Sequence, residues 1–470
     1  MASPPPPYPL ILSLLLLIST AAVTTAITIP ISPSSAPAST DLHQILAHLA
    51  SASVSRALRL KSTHNLPQDS SPVFATSLVK TPLFPRSYGG YSISLSFGTP
   101  PQSTSFVMDT GSSLVWFPCT SRYLCSRCNF PNVDPAAIPS FIPRNSSTAM
   151  LLGCKNPKCQ WIYGPNVESK CSGCDAPGSS PNCTQTCPPY MIQYGLGSTA
   201  GLLLTETLDF PEKKVPDFLV GCSILSARQP EGIAGFGRGL DSLPSQVGAK
   251  KFSYCLVSHS FDDAPVSSDL VLDLDSGSGK KTAEVSYTPF RKNPVTSNSA
   301  LQTYYYVNLR QIVVEGKHVK VPSEYLEPGS DGNGGTIVDS GTTFTYMERP
   351  VFEAVVKEIG KRMANFTVAT EIQDLTGLRP CYNVSGQDTV SVPELSFKFK
   401  GGAEMKLPVT NYFVLAGDGA ICFTIVSDNV VGTGLRGGPA IILGNYQQRD
   451  YYIEYDLEKE RFGFKRQVCA

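Results

Sequence analysis

Two segments of this chain repeat one pattern of residue types. Phe106-Val-Met-Asp109-Thr-Gly-Ser112 and Thr336-Ile-Val-Asp339-Ser-Gly-Thr342 both run apolar, apolar, Asp, hydroxyl, Gly, hydroxyl. Each is followed by an apolar-apolar-Gly element, Ile233-Ala-Gly235 in the first half and Ile442-Leu-Gly444 in the second. The intervals from Asp to Gly are 235 − 109 = 126 and 444 − 339 = 105 residues, so the first copy carries 21 extra. This weak internal repeat points to a duplicated β lobe with an insertion in the first copy. An Asp between an apolar strand and a turn that glycine permits is held rigidly at a strand end, and the flanking hydroxyls can donate hydrogen bonds to it.

The surrounding sequence says what those units are made of. Tyr91-Ser-Ile-Ser-Leu-Ser-Phe97 and Tyr304-Tyr-Tyr-Val-Asn-Leu309 alternate with period two and are rich in aromatic and β-branched residues, which predicts strands. One helix is expected after Pro350, with Val351, Val355, Val356, Ile359 and Met363 along a face. A second is expected over 41–61, where Leu42, Ile45, Leu46 and Leu49 recur at helical spacing and Arg56, Arg59 and Lys61 follow. It lies in a Ser/Ala/Pro-rich stretch that precedes the β body. A short basic segment ahead of a compact domain reads as a propeptide, here 27–85; a flexible stalk is the plainer alternative.

The ends and the cysteines indicate the compartment. The apolar run Leu10 to Ile18 is too short to cross a bilayer and is followed by Ala21, Ala22 and Ala26, the pattern of a signal peptide spanning 1–26. It departs from the usual form in having no Lys or Arg ahead of the run. No later segment is apolar enough to span a membrane, and the C-terminus lacks a lipid-anchor tail. Nine of the 14 Cys fall within 119–187, a loop-rich stretch for which disulfides are the simplest support in an oxidising compartment. Nine is odd, so at least one bond must leave the cluster. Zinc is the rival, because Cys125/Cys128 and Cys171/Cys174 are C-x-x-C pairs, but their separation is too long for a zinc ribbon. In the second lobe we expect Cys381 to pair with Cys422. Sequons at Asn145, Asn182, Asn365 and Asn383 fit a glycosylated secreted protein.

Other classes are excluded in turn. Lys and Arg balance Asp and Glu at 38 each, so there is no basic field for nucleic acid. Only His259 and His318 lie outside the leading segment, which leaves a serine or cysteine hydrolase short of a base. No H-E-x-x-H, phosphate-binding or dinucleotide fingerprint is present, and no cofactor or metal is expected. If the two halves meet face to face, Asp109 and Asp339 become paired carboxylates that share a proton over a range of acidic pH. One can then accept a proton from water while the other donates to a carbonyl oxygen, hydrolysing a bond with no covalent intermediate.

At this point the chain resembles a family. Phe97-Gly-Thr-Pro-Pro-Gln102, the two Asp signatures, Trp116 seven residues after the first Asp, Gln193-Tyr194-Gly195 and Ile442-Leu-Gly-Asn-Tyr-Gln-Gln-Arg449 follow in the order found in pepsin-like aspartic proteases. The Cys-rich insertion is similar to that of the plant nepenthesin-type branch, and the interval Asp339 to Gly444 leaves no room for the saposin-like insert of other plant members. The resemblance spans about residues 88 to 469. It implies an all-β, bilobal fold with an N-terminal lobe (88–256) holding the insertion (119–187), a C-terminal lobe (257–470) and a cleft between them.

It also implies roles for individual residues. Asp109 and Asp339 would hold the nucleophilic water, with Gly111 and Gly341 in their turns and Ser112 and Thr342 bonded to the outer carboxylate oxygens. Thr110 and Ser340 would tie the two loops together. Tyr194 would close over substrate on a hairpin hinged at Gly195 and Gly197 and bond Trp116, next to Leu196, where many plant relatives carry an acid. The partner would be an extended polypeptide, cleaved by a secreted or vacuolar monomer at acidic pH. The alternative is a catalytically silent binding protein on the same scaffold, an inhibitor of cell-wall-degrading enzymes. A glycosidase needs its two carboxylates at least about 5 Å apart, which nothing in the pattern predicts.

Overall fold

The computed structural model describes residues 26–33, 42–61 and 90–469, apart from 129–133, 135–136, 165–166, 168–170, 172–184, 196, 211–212, 259–267, 275–283, 297, 388–389 and 429–436. The expected signal peptide therefore lies outside the described residues, except for its last position. The described residues begin with strand β1 (Ala26–Pro33) and helix α1 (Leu42–Lys61), the helix that the periodicity predicts. The body begins with β2 (Tyr91–Phe97) and β3 (Gln102–Asp109), whose alternating burial follows from their period-two pattern. There follow β4 (Trp116–Pro118), β5 (Tyr190–Gln193), β6 (Ser198–Phe210), β7 (Lys213–Ala227), β8 (Gly232–Gly235), β9 (Lys251–Cys255) and β10 (Ser268–Asp273). The second half holds β11 (Thr336–Val338), β12 (Tyr346–Met347), α2 (Arg349–Arg362), α3 (Thr370–Thr376), β13 (Ile441–Leu443), β14 (Tyr451–Asp456) and β15 (Arg461–Arg466). Pro350 sits in the first turn of α2, where its missing N–H costs nothing.

The sequence repeat becomes a structural one. In the first half β8 inserts between β3 and β4, parallel to the former with Gly235 opposite Asp109 and antiparallel to the latter with Ile233 opposite Trp116. In the second half β13 inserts between β11 and β12, parallel to the former with Leu443 opposite Val338 and antiparallel to the latter with Ile442 opposite Tyr346. The copies match to the residue: Trp116 and Tyr346 stand 116 − 109 = 7 and 346 − 339 = 7 positions beyond their aspartates. The glycines of the two apolar-apolar-Gly elements serve packing. A Cβ on Gly235 would overlap the Ser113 backbone, and one on Gly444 the Thr343 carbonyl.

A large sheet links the halves, in the order β15-β14-β9-β10-β1-β2-β3-β8-β4-β7-β6 along its main path. β1 is an interior strand of that path, antiparallel to β10 from Ala26↔Asp273 to Ile31↔Ser268 and to β2 over Ile31↔Ile93 to Pro33↔Tyr91. The core beneath it is aromatic. Phe97 packs edge-on against Phe117 and Phe218, and Phe252 stacks on Tyr455 at 4.4 Å. Truncating any of these to Ala costs about 3–5 kcal/mol.

Disulfides hold what the core does not reach. They join Cys119–Cys222, Cys125–Cys128, Cys154–Cys171, Cys159–Cys187, Cys255–Cys469 and Cys381–Cys422. The second-lobe pair is the one expected from sequence, and Cys119–Cys222 is the bond that the odd count required. The C-x-x-C at 125–128 closes on itself and Cys171 joins Cys154, so neither contributes to a zinc site. Cys174 and Cys183 lie outside the described residues.

Candidate active site

The two aspartates emerge from equivalent strand ends and meet between the halves. Asp109 ends β3 and Asp339 follows β11, and both are fully buried. The Ser112 hydroxyl donates to Asp109 Oδ2 at 2.6 Å, and the Thr342 hydroxyl to Asp339 Oδ2 at 2.5 Å. The N–H groups of Gly111 and Gly341 donate to the Oδ1 atoms, each at 2.9 Å. Glycine is required at both positions because each carboxylate presses on the opposite turn: a Cβ on Gly111 would overlap Asp339, and one on Gly341 would overlap Asp109. The Oδ2 atoms are thereby fixed by hydroxyls, while the Oδ1 atoms lie against the opposite turn.

The turns are also tied across the interface. Thr110 N–H donates to Ser340 Oγ at 3.0 Å, and Ser340 N–H to Thr110 Oγ1 at 2.9 Å. Each hydroxyl then donates onward to the other strand's backbone, Thr110 to the Val338 carbonyl at 3.3 Å and Ser340 to that of Met108 at 2.9 Å. This four-bond lattice is closed to solvent, where unmade bonds cost most.

Above the dyad, β5 and β6 form a hairpin with Gln193 opposite Ser198, closed by Tyr194 N–H donating to the Gly197 carbonyl at 2.7 Å. Trp116 Nε1 donates to the Tyr194 hydroxyl at 2.7 Å, which clamps the hairpin down. Burial first, and the Asp109 charge second, hold that phenol well above its ordinary pKa, so it stays protonated.

The cleft is filled by α1, a feature that the sequence indicated only as a basic helix. Arg56 reaches between the aspartates: Nε donates to Asp339 Oδ2 at 2.7 Å, and Nη2 to Asp109 Oδ1 at 2.5 Å and Asp339 Oδ1 at 3.1 Å. Its backbone lies so close to the hairpin that a Cβ on Gly195 would overlap it. One turn further, Arg59 Nε donates to the Gln193 carbonyl at 3.1 Å. The apolar face of the helix, Ile45, Leu46, Leu49, Ala50, Ala57 and Leu60, packs on Tyr304, Tyr306, Phe344, Tyr346, Ile372 and Leu378. The three-residue spacing of Arg56 and Arg59 puts both on one helix face, a signal present in the sequence. The register of that face against the dyad is a tertiary fact.

The guanidinium splits the pair electrostatically. Burial raises the pKa of both carboxyls. At Asp339 the charge and hydrogen bonds of Arg56, with those of Thr342 and Gly341, overcome it and hold the group below the usual carboxylate range. At Asp109 burial, with the Asp339 charge adding to it, prevails over Arg56 and holds the group above. The docked helix thus favours an ionised Asp339. Among the described residues no three His, Cys, Asp or Glu side chains gather into a metal site. Asn145, Asn365 and Asn383 are exposed, and Asn182 lies outside the described residues.

A hydroxyl-braced carboxylate dyad between two copies of one β unit, under a Trp-clamped hairpin, defines the class of pepsin-like aspartic proteases. Comparison with known proteins agrees. Residues 91–271 match the family model described as xylanase inhibitor N-terminal, and residues 304–466 the one described as xylanase inhibitor C-terminal. A probable aspartyl protease of Arabidopsis thaliana is 33% identical over 417 aligned residues, covering 81% of this chain and 82% of the relative. Aspartic proteinase nepenthesin-2 of Nepenthes gracilis is 32% identical over 403, covering 84% and 81%. Among solved structures, that titled edgp superposes with a TM-score of 0.61 at 19% identity, covering 95% of both chains. Basic 7S globulin from soybean does so with 0.58 at 16% identity, covering 95% of this chain and 99% of that one. The chain belongs to the pepsin-like aspartic protease family, in its plant nepenthesin-type branch.

Proposed function

We propose that this protein is a secreted, acid-active aspartic endopeptidase, made as a precursor that its own helix α1 blocks. The observation that carries the reading is the mirrored dyad, whose Oδ1 atoms converge on one nitrogen, Arg56 Nη2, while Ser112 and Thr342 donate to the Oδ2 atoms. With Arg56 withdrawn, a water between the Oδ1 atoms would lose a proton to the ionised carboxylate as it attacks the peptide carbonyl. The protonated carboxyl would donate to that carbonyl oxygen, and no covalent enzyme intermediate is needed. Tyr194 would close over an extended substrate on the β5–β6 hairpin.

The reading assigns 1–26 to a signal peptide and 27–85 to a propeptide whose removal opens the cleft. The N-terminal lobe then runs over 88–256 and the C-terminal lobe over 257–470. The six disulfides and three exposed sequons among the described residues fit passage through an oxidising, glycosylating compartment, to the extracellular space or a vacuole. The product would act as a monomer on polypeptides.

The test is cleavage of a denatured protein by the processed chain across pH 3 to 7, beside Asp109→Asn. Acid-dependent cleavage that disappears in the variant supports the reading. Absence of cleavage by folded wild type overturns it in favour of the silent binding protein, the reading suggested by the likeness to the xylanase inhibitor families. Intact signatures in both halves speak against that alternative.

A further inference from the structure

Lys61, the last residue of α1, is almost completely buried at 3% exposure. Its ammonium pairs with the Glu348 carboxylate and stands 5.7 Å above the centre of the Tyr346 ring. An ammonium removed this far from water is tolerated only where an opposite charge and a π-face replace its hydration. The walls of this recess belong to the second half of the body, so they remain when α1 leaves.

Glu348 is placed for this contact and for little else. Its N–H donates to the Ala440 carbonyl at 2.8 Å, and its carbonyl accepts from the N–H groups of Val351 and Phe352, both at 2.9 Å, so its backbone is fixed. It occupies the N-cap position of α2, yet its side chain makes no capping bond. Among the described residues Lys61 is its one ion-pair partner, since neighbouring Arg349 pairs with Glu353. A second carboxylate, that of Asp428, stands with Glu348 beside Tyr346, whose hydroxyl pKa burial and these two charges push up. Opposite them Gly437 and Gly438 form a bare wall: a Cβ on either would overlap the Lys61 backbone, and Gly438 has φ +75°.

The recess also occupies a defined place relative to the dyad. Lys61 lies five helical positions beyond Arg56, about 7.5 Å along the axis. An extended peptide spans that distance in two to three residues at roughly 3.3 Å each. The repeat adds a contrast. Trp116 spends its position seven beyond Asp109 holding the flap, whereas Tyr346, at the same position beyond Asp339, faces the cleft occupant.

We propose that the recess of Tyr346, Glu348, Gly437 and Gly438 is a specificity subsite taking a Lys or Arg side chain of the polypeptide substrate, two or three residues from the scissile bond. Lys61 holds the place of that side chain in the blocked chain. The inference rests on the endopeptidase reading and refines it.

The processed protein is incubated at acidic pH with a peptide library that places Lys, Arg, Gln, Met or Glu at each of four positions on either side of the cleaved bond, and the products are read by mass spectrometry. Lys and Arg should be enriched over Gln by about tenfold at one position, the effect expected of a charge-assisted bond. Glu348→Gln should bring that ratio to near one, and Glu348→Lys should turn it toward Glu. Glu353→Gln, on the exposed side of α2, should keep the wild-type ratio. Cleavage without a Lys/Arg preference at any position, or a preference that survives in Glu348→Gln, overturns the subsite alone. Absence of cleavage by every form overturns the endopeptidase reading, and the subsite falls with it.

Discussion

His48 lies in the buried face of α1 at 8% exposure, and burial, with the Arg228 charge adding to it, lowers its pKa from 6.5 to about 4. In the released helix it titrates near 6.5. Between those values the released state binds a proton that the docked state does not. The contact is therefore at full strength above pH 6.5, weakens as pH falls toward 4, and levels off below. The span, 2.5 pK units at about 1.36 kcal/mol each, is about 3 kcal/mol, or roughly 300-fold in the opening equilibrium. Replacing His48 by Leu keeps an apolar filler and removes the proton. The comparison is best made in an Asp109→Asn background that cannot cleave itself, by amide hydrogen exchange of α1 from pH 7 to 3, corrected for intrinsic rates. The form with His48 should open by about two orders of magnitude more at pH 4 than at pH 7. The Leu variant should stay flat over that window and open only below it, where Asp339 takes up its proton. Parallel profiles for the two forms, or opening that decreases in acid, would refute the reasoning.

Other residues give separate tests. Arg56→Met removes the cation from beneath two buried carboxylates, a loss of about 3–5 kcal/mol; a synthetic 42–61 peptide carrying it should inhibit the processed protein at least a hundredfold more weakly than the native peptide. Gly195→Ala sets a Cβ against the Arg56 backbone, so the unprocessed variant should cleave a fluorogenic peptide while wild type stays blocked; equal silence would contradict the contact. Thr110→Val strands the Ser340 N–H inside the lattice, at a cost of about 1–3 kcal/mol. Calorimetry should show a Tm several degrees lower, and kinetics a fall in kcat larger than any change in KM. Trp116→Phe deletes the donor to Tyr194 and should raise KM through a looser flap, with the acid limb of the pH profile unchanged.

The geometry of the carboxylate dyad was legible because it is local and written twice. Asp109 with Ser112 and Asp339 with Thr342 are three residues apart, so each hydrogen bond is implied by its turn alone. The pairing of the two turns could be read as well, since a duplicated unit has one economical way to bring equivalent strand ends together. Cys381–Cys422 could be anticipated within the second lobe, whereas Cys119–Cys222 was visible only as an odd count, because its partner lies beyond the insertion. Arg56 marks the limit. Periodicity found the helix and its basic end, but which of Arg56, Arg59 and Lys61 meets the dyad depends on how Leu46, Leu49 and Leu60 seat on Tyr304 and Tyr346, a register that no spacing within the helix encodes. His48 was set aside with the leading segment for the same reason: its burial comes from the opposite surface.

Strand β1 has a mechanical consequence. On the main path of the large sheet it is the splint between β10 and β2, and Ala26, where the sequence places the signal cut, is also its first residue. While it stays in place, the halves are laced into one plate, and rocking of one against the other must break backbone bonds. Once it peels away, that plate is parted and the Thr110–Ser340 lattice becomes the pivot on which the halves turn. If the segment 27–85 is removed as proposed, the cleft would unlock twice, once when Arg56 leaves the carboxylates and again when β1 leaves the sheet, and the second release would set how widely the cleft can gape for a large substrate.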